Sequence, residues 1–363
     1  MRILLLTSHL NIGGIAVYTI TLANSLCKRG HSVYVASSGG TLDRELVSDV
    51  GRIKVPLNTK SEVSIKVLLT VFRLRRFIRD ENIEVIHAQT RVTQFAAHIL
   101  SKLTGIPYVV TWHGFYRAHF FRKFFPCWGK RTIAISKTVS RHLIDVFRRE
   151  EDKVRLIFNG IDTSKFVNDY SANEREDTKR RYGLKDGPII GIISRLAPEK
   201  GHIYLIEAFK ELLVEIPDAQ LIIVGEGRSG SELKNKVREL GIESVVYFFG
   251  ETLNTKEFLA IMDVFTRPSE NEPFGLAIVE AMLMGVPVVA TDAGGYKTIL
   301  DEGRFGILVP PKDSVALKDA LVRILTDSNL VKRLRETARE YAIQNFSADR
   351  MAEKVEVVYK EVI

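Results

Sequence analysis

The sequence predicts an α/β protein of two domains, each built on a parallel, doubly wound sheet. Its 363 residues exceed what one small domain needs, and 45% hydrophobic with 26% charged residues is a globular composition with material for two cores. Short β-rich runs alternate with helical stretches, the rhythm of βαβ units. That rhythm breaks in a polar, charge-rich segment at 168–187 and then restarts. Disordered and fibrous classes are excluded.

In the first half, residues 3–7, 33–36, 85–88, 108–111 and 132–135 read as strands, and 16–28, 62–79, 92–103 and 137–148 as helices. After the break, strands are expected at 189–193, 221–224, 245–249 and 288–290. The tail from 314 to 363 carries helical patterns interrupted at Asp327-Ser328 and at Asn345-Phe346-Ser347. The expected division is residues 1–167 as the first domain, 168–187 as a linker and 188–346 as the second domain. No run reaches the 18 apolar residues of a spanning helix, and residues 1–9 read as an opening strand in place of a signal peptide. Cys27 and Cys127 are too few for a disulfide framework or a Cys-rich metal site, which fits a cytoplasmic setting.

The net charge of +8 is unevenly spread. Residues 1–170 hold 26 basic and 13 acidic side chains, whereas 171–363 hold 26 and 31. From Val85 through Ile144 there is no acid and there are nine Lys or Arg, so this half is expected to face something anionic.

The most informative stretch runs from Pro268 to Met282. Pro273 and Gly275 mark a turn into a helix, placing the Gly275 and Leu276 amides at a helix N-terminus, where anions bind. Glu272 lies on the loop before those amides and Glu280 about one and a half turns into the helix. Carboxylates accept from vicinal hydroxyls, so the pair suits a sugar-like ligand beside an anion. The same spacing fits a capped helix whose second glutamate sits in a surface ion pair. Arg195 and Lys200 share one βα loop, either as a diphosphate clamp or as solvated charges. Asn11-Ile12-Gly13-Gly14 opens a helix after the first strand, so Gly13 and Gly14 let backbone approach a phosphate or simply make a turn. Neither Gly-x-Gly-x-x-Gly nor a P-loop pattern occurs.

In this order, the stretches resemble the family-4 retaining glycosyltransferases (glycosyl transferases group 1), which have the GT-B architecture of two Rossmann-like domains facing across a cleft. The resemblance covers nearly the whole chain. It rests on Glu272 and Glu280 within Glu-Pro-Phe-Gly-Leu and Glu-Ala-Met-Leu-Met-Gly-Val-Pro, and on Gly13-Gly14, His113-Gly114, Asn159-Gly160-Ile161-Asp162, Arg195 with Lys200-Gly201, Val224-Gly225-Glu226-Gly227 and Phe248-Phe249-Gly250. It implies that Glu272, Phe274 and the Gly275–Leu276 amides hold a donor sugar and its phosphate, and that Glu280 holds the ribose. It further implies that Arg195 and Lys200 clamp the diphosphate with Gly13 and Gly14 nearby, and that Gly225 and Phe248 border the base. His113 resembles the family's histidine beside the donor sugar, a hydrogen-bonded structural histidine being the alternative. Catalytic roles thus fall to His113, Arg195, Lys200 and Glu272, and the segment 347–363 is expected to return to the first domain. Where the family commonly has Pro-Glu after Gly294-Gly295, this chain has Lys297-Thr298.

The implied reaction is sugar transfer, with retention, from a nucleotide diphosphate sugar to an acceptor hydroxyl. No cofactor and no metal are expected, since no Asp-x-Asp occurs and side chains with a helix dipole stabilise the leaving group. The expected acceptor is a glycolipid or lipid-linked glycan of cell-envelope or lipopolysaccharide type. Residues 115–131 combine seven aromatics with five basic side chains. Phe115, Tyr116, Arg117, Arg122, Lys123, Trp128, Lys130 and Arg131 are therefore candidates for an acceptor or anionic-membrane face, with packing beside the cleft as the alternative. A peripheral position on the inner face of the cytoplasmic membrane follows. Residues 72–79, rich in Arg, read as the solvated face of a helix whose Val67, Leu68, Val71 and Ile78 pack inward. A non-catalytic nucleotide-sugar sensor and a transferase for a soluble acceptor are the rival readings. A nucleic-acid partner is disfavoured, because no recognised binding module is present and the second half is acidic.

Overall fold

The computed structural model describes residues 1–118 and 125–363 and divides into two compact units, Met1–Asp162 with Phe346–Ile363, and Thr163–Asn345. Unit 1 holds a seven-stranded sheet in the order β3-β2-β1-β4-β5-β6-β7, and every pairing is parallel. The strands are β1 (Arg2–Leu6), β2 (Ser32–Ser37), β3 (Gly51–Lys54), β4 (Val85–Ala88), β5 (Tyr108–Trp112), β6 (Arg131–Ala134) and β7 (Val154–Leu156). Alternation sends Ile3 and Leu5 into one core and Leu4 and Leu6 into another, so after its exposed first residue, Arg2, β1 is apolar, as a doubly covered strand must be. β3 and β7, which the sequence reading lacks, are the short strands at the two edges of this sheet.

Unit 2 holds a six-stranded parallel sheet in the order β10-β9-β8-β11-β12-β13. Its strands are β8 (Ile189–Ile193), β9 (Gln220–Val224), β10 (Val246–Phe249), β11 (Val264–Arg267), β12 (Val288–Thr291) and β13 (Ile307–Val309). Strand order reverses between β8 and β11, the switch point where ligands of such sheets bind, at the strands' carboxyl ends. β11 is central and fully buried, yet sequence reasoning passed over it because its four residues end in an arginine.

Two boundaries differ from expectation. The segment 168–187 is not a free linker: Ala172–Arg181 is a helix whose start is fixed by a reciprocal capping box between Ser171 and Glu174. Arg181 pairs with Glu257, Tyr182 donates to the same carboxylate at 3.1 Å, and the Tyr182 ring stacks on Phe258, so the helix belongs to unit 2. Unit 2 accordingly begins at Thr163, earlier than the expected 188.

The carboxyl-terminal segment is integral to unit 1. Ile161 donates to the Phe346 carbonyl and Ala348 to that of Ile161, both at 2.8 Å, which ties the Asn159–Asp162 stretch to the chain entering the helix Ala348–Lys360. A Cβ on Gly160 would lie 2.8 Å from the Ala348 Cα, so only glycine lets the two backbones approach. That helix buries Met351, Ala352, Val355, Val358 and Tyr359 against Ile3, Leu5 and the helix Gly14–Lys28. The Tyr359 hydroxyl meets His87 Nδ1 at 2.7 Å, and His87 Nε2 meets the Thr111 hydroxyl at 2.7 Å. Burial holds the His87 pKa down to about 3, so the ring is neutral and relies on both partners. Tyr359→Phe leaves a fully buried ring nitrogen unpaired and is expected to cost about 1–3 kcal/mol, read as a lower urea midpoint with an unchanged slope. An unaltered midpoint would show that the bond contributes nothing.

Candidate active site

The carboxyl ends of β8 and β11 are neighbours in the unit 2 sheet, so the loops leaving them converge. The loop after β8 passes through a tight turn at Pro198–Lys200 into the helix His202–Glu215, and the loop after β11 leads to the helix Leu276–Leu283. Gly201, at φ 72°, lies between them: a Cβ there would meet the Pro268 carbonyl oxygen at 1.9 Å. This close approach sets Lys200 beside Glu272, which is 72 positions later.

Three donors converge on one oxygen, Glu272 Oε2: Lys200 Nζ at 2.6 Å, Arg267 Nη2 at 2.8 Å and the Tyr296 hydroxyl at 3.3 Å. Among the described residues none reaches Oε1. Arg267 ends β11, is buried, and also donates to the Ile193 carbonyl at 2.7 Å and to the Tyr296 hydroxyl at 3.1 Å. The Tyr296 hydroxyl also lies 3.0 Å from the Ser269 hydroxyl, so its one proton serves either Ser269 or Glu272, and the Gly295 amide donates to the Glu272 carbonyl at 2.7 Å. Burial pushes the Glu272 carboxyl up, but Arg267 and Lys200 overcome it and leave its pKa below the usual value. Burial pulls Lys200 down further than Glu272 holds it up. For Arg267 burial works against the charge, and Tyr296 with Glu272 more than restores it. Two cations, Arg267 buried and Lys200 partly so, against one carboxylate leave a positive surplus close to the start of the helix Leu276–Leu283, whose first amides have no intrahelical acceptor.

Other expected residues are placed less uniformly. Gly275 caps that helix, and Phe274 beside it is buried. Glu280 lies within the helix and accepts one hydrogen bond, from Thr255 at 3.1 Å. Burial raises its pKa to about 7. Arg195 is not brought to Lys200: it is 71% exposed on its side chain and pairs with Glu199 at 3.2 Å, while Arg228 approaches the other oxygen of Glu199 at 3.5 Å. Gly225 follows β9 and donates to the Phe249 carbonyl at 3.0 Å. Phe248, on the edge strand β10, packs against the unit 2 core with Lys234 over its ring. Lys297, which stands where the family commonly has proline, pairs with Asp292 at 3.0 Å on the surface, while Thr298 beside it is buried.

In unit 1, Gly13 caps the helix Gly14–Lys28, and both glycines are exposed with open space around them. His113 follows β5, meets Gln89 Oε1 through Nε2 at 2.9 Å and packs edge-on to Tyr18 at 4.8 Å. Burial lowers its pKa to about 3, so it is neutral. Arg122 and Lys123 lie outside the described residues. The rest of the expected membrane face is largely engaged within the unit. Phe115 packs on His142, Tyr116 on Trp112, and Trp128 lies under Arg149. Lys130 donates to the Val362 carbonyl at 3.1 Å and Arg131 to Glu361 at 2.9 Å, so both fasten the carboxyl terminus; Arg117 is exposed.

Arg267 and Tyr296 were missed from sequence. An arginine closing an apolar strand next to Pro268 was the available signal for the first. The tyrosine had none, since its role appears only when the loop after β12 folds onto Glu272.

The model "Glycosyltransferase Family 4" matches residues 12–165, and "Glycosyl transferases group 1" matches 174–341. The chain is 25% identical to the N-acetyl-alpha-D-glucosaminyl L-malate synthase of Bacillus anthracis, over 99% of this chain and 96% of that one. It is also 25% identical to the UDP-Gal:alpha-D-GlcNAc-diphosphoundecaprenol alpha-1,3-galactosyltransferase of Escherichia coli, over 91% and 88%. The crystal structure of a glycosyltransferase from Rickettsia africae superposes with a TM-score of 0.88 at 26% identity, covering 99% of this chain and 98% of that one.

Glu280 makes the site's pH dependence testable. An unfolded glutamate ionises near 4.5, whereas Glu280 keeps its proton to about 7, so unfolding releases a proton in between and stability falls as pH rises through that window. Glu280→Gln removes this penalty and is expected to gain up to about 3 kcal/mol on the wild type at pH 8 and almost nothing at pH 4, read by urea unfolding. A difference independent of pH would place the carboxylate in water. Two family models spanning most of the chain, with a fold shared along its length, make this protein a member of the family-4 glycosyltransferases, an enzyme of GT-B fold.

Proposed function

We propose that the enzyme moves a sugar, with retention and without a metal, from a nucleotide diphosphate sugar to a hydroxyl of a glycolipid or lipid-linked glycan of the cell envelope. The observation that carries this reading is the positive surplus at Glu272: Lys200 and Arg267 outnumber the single carboxylate beside a helix N-terminus, and a diphosphate supplies the missing negative charge. The Escherichia coli relative, by its name, uses UDP-galactose and a diphosphoundecaprenol-linked sugar, and supports both the donor class and the lipid-linked acceptor.

In this mechanism the bond from the sugar's anomeric carbon to the diphosphate oxygen breaks, and the electron pair leaves with the diphosphate. Lys200 and the Leu276 amide stabilise the charge that develops, with Arg195 swinging in from the surface. The acceptor oxygen bonds to the same face of the anomeric carbon, and its proton passes to the departing phosphate. Glu272 offers Oε1 to the sugar's hydroxyls, because Oε2 is already taken. Neutral His113, oriented by Gln89, hydrogen-bonds a sugar hydroxyl. Glu280 accepts from the ribose as a carboxylate, so donor affinity rises with pH through about 7. No protein nucleophile is required.

Glu272→Gln is expected to lower turnover by roughly 10- to 150-fold, the equivalent of about 1.5–3 kcal/mol for a charge-assisted contact. EDTA should leave the rate unchanged, and proton NMR of the first-formed product should show the donor's anomeric configuration. Wild-type turnover in the variant, loss of activity on chelation restored by magnesium, or an inverted product each contradicts a part of the reading.

A further inference from the structure

The helix Ile65–Asp80 has two apolar faces, and only one is covered. Val67, Thr70, Val71, Leu74 and Ile78 are its buried residues, and the four apolar ones pack into a core of unit 1. On the opposite side Ile65 is 71% exposed, Leu68 49%, Leu69 55% and Phe72 75%, and Val63 just before the helix is 69% exposed. Leu68, expected to pack inward, therefore points out. At 100° per residue Ile65 and Phe72 fall on one line two turns apart, with Leu68 and Leu69 on either side, so these side chains form one patch over the first two turns. A solvated helix needs no second apolar face, and isolated exposed residues would not align this way.

The last two turns of the same outer surface are basic. Arg73 and Arg75 have no ion-pair partner among the described residues, and Arg76 and Arg79 share the single carboxylate of Asp80. Of the other acids nearby, Glu62 is bound by Arg91 at 2.8 Å, and Glu81, which caps the end of the helix, accepts from the Tyr34 hydroxyl at 2.7 Å and forms no ion pair with these arginines. Apolar side chains followed by unneutralised guanidinium groups complement a surface that is anionic outside and hydrocarbon within.

We propose that this face, from Val63 to Arg79, is where the protein rests on an anionic lipid bilayer, with Leu69 and Phe72 entering the acyl boundary and the arginines on the headgroups. This deepens the reading of a lipid-borne acceptor by locating the membrane contact. It moves that contact away from residues 115–131, where, of the three described basic residues, Lys130 and Arg131 are committed to the carboxyl terminus and Arg117 is exposed.

The full chain would be floated with phosphatidylcholine vesicles, with and without roughly a third phosphatidylglycerol. Binding is expected to the anionic vesicles, with little to the neutral ones and partial release in high salt. Arg73→Ser with Arg75→Ser should lower partition about tenfold or more, as should Leu69→Ser with Phe72→Ser, the latter leaving a remainder that salt removes completely. Arg117→Ser should change nothing. All these positions are exposed, so unchanged thermal melting is expected and would confirm that folding is not the cause. Equal binding to both vesicle types, no binding to either, or variants that partition like the wild type would overturn the proposal. So would a dimer that Phe72→Ser dissociates while vesicles are ignored. No donor or acceptor is present in the assay, so its failure leaves sugar transfer standing, and absence of transfer with vesicle binding intact would sink the other reading alone.

Discussion

A single carboxylate oxygen organises unit 2. Glu272 Oε2 receives a lysine from the loop after β8, an arginine from the end of β11 and a tyrosine from the segment after β12, so three connections that are far apart in sequence are fixed to one atom. Arg267 is central because it also holds the Ile193 carbonyl and Tyr296, and its side chain is almost wholly buried. Removing one partner of such a buried cluster strands a charge, which typically costs several kcal/mol. The cluster therefore fixes the geometry of the site before any ligand arrives.

The same cluster sets the electrostatics around it. Its positive surplus favours an anion at the neighbouring helix start, yet Glu280, further along that helix, is buried deeply enough to keep its proton near neutrality. Two glutamates eight positions apart are thus shifted in opposite directions, one held down by cations and one raised by burial with a single hydroxyl donor. Unit 1 contains a comparable but uncharged arrangement, in which the neutral rings of His87 and His113 are linked through Thr111 and Tyr18 to the carboxyl-terminal helix. Such neutral networks orient groups without drawing in counter-ions.

Much of the fold was legible because parallel strands buried on both faces are short apolar runs, as in 3–6 and 189–193. The strands missed were edge strands or, for β11, a run ending in a charge. The helix Ala172–Arg181 was hidden by its composition, which is almost wholly polar, although Ser171 and Glu174 spelled its start. Within the site, Glu272, Lys200 and the Gly275 cap were readable from spacing and family resemblance. Arg267 and Tyr296 were not, because their role depends on contacts between loops from different strands. For the basic aromatic stretch at 115–131 the converse holds: composition shows charge and aromaticity but not that Lys130 and Arg131 already have partners.

The central claim is that the surplus charge at Lys200 and Arg267 is there for a diphosphate. Titration calorimetry with uridine and guanosine diphosphates, set against the uncharged nucleosides, on the wild type and on Lys200→Ala tests it most directly. The account predicts that the preferred diphosphate binds the wild type, that Lys200→Ala weakens it about tenfold or more, and that the much weaker nucleoside binding does not change. A Lys200→Ala protein that binds the diphosphate as tightly as the wild type would contradict it.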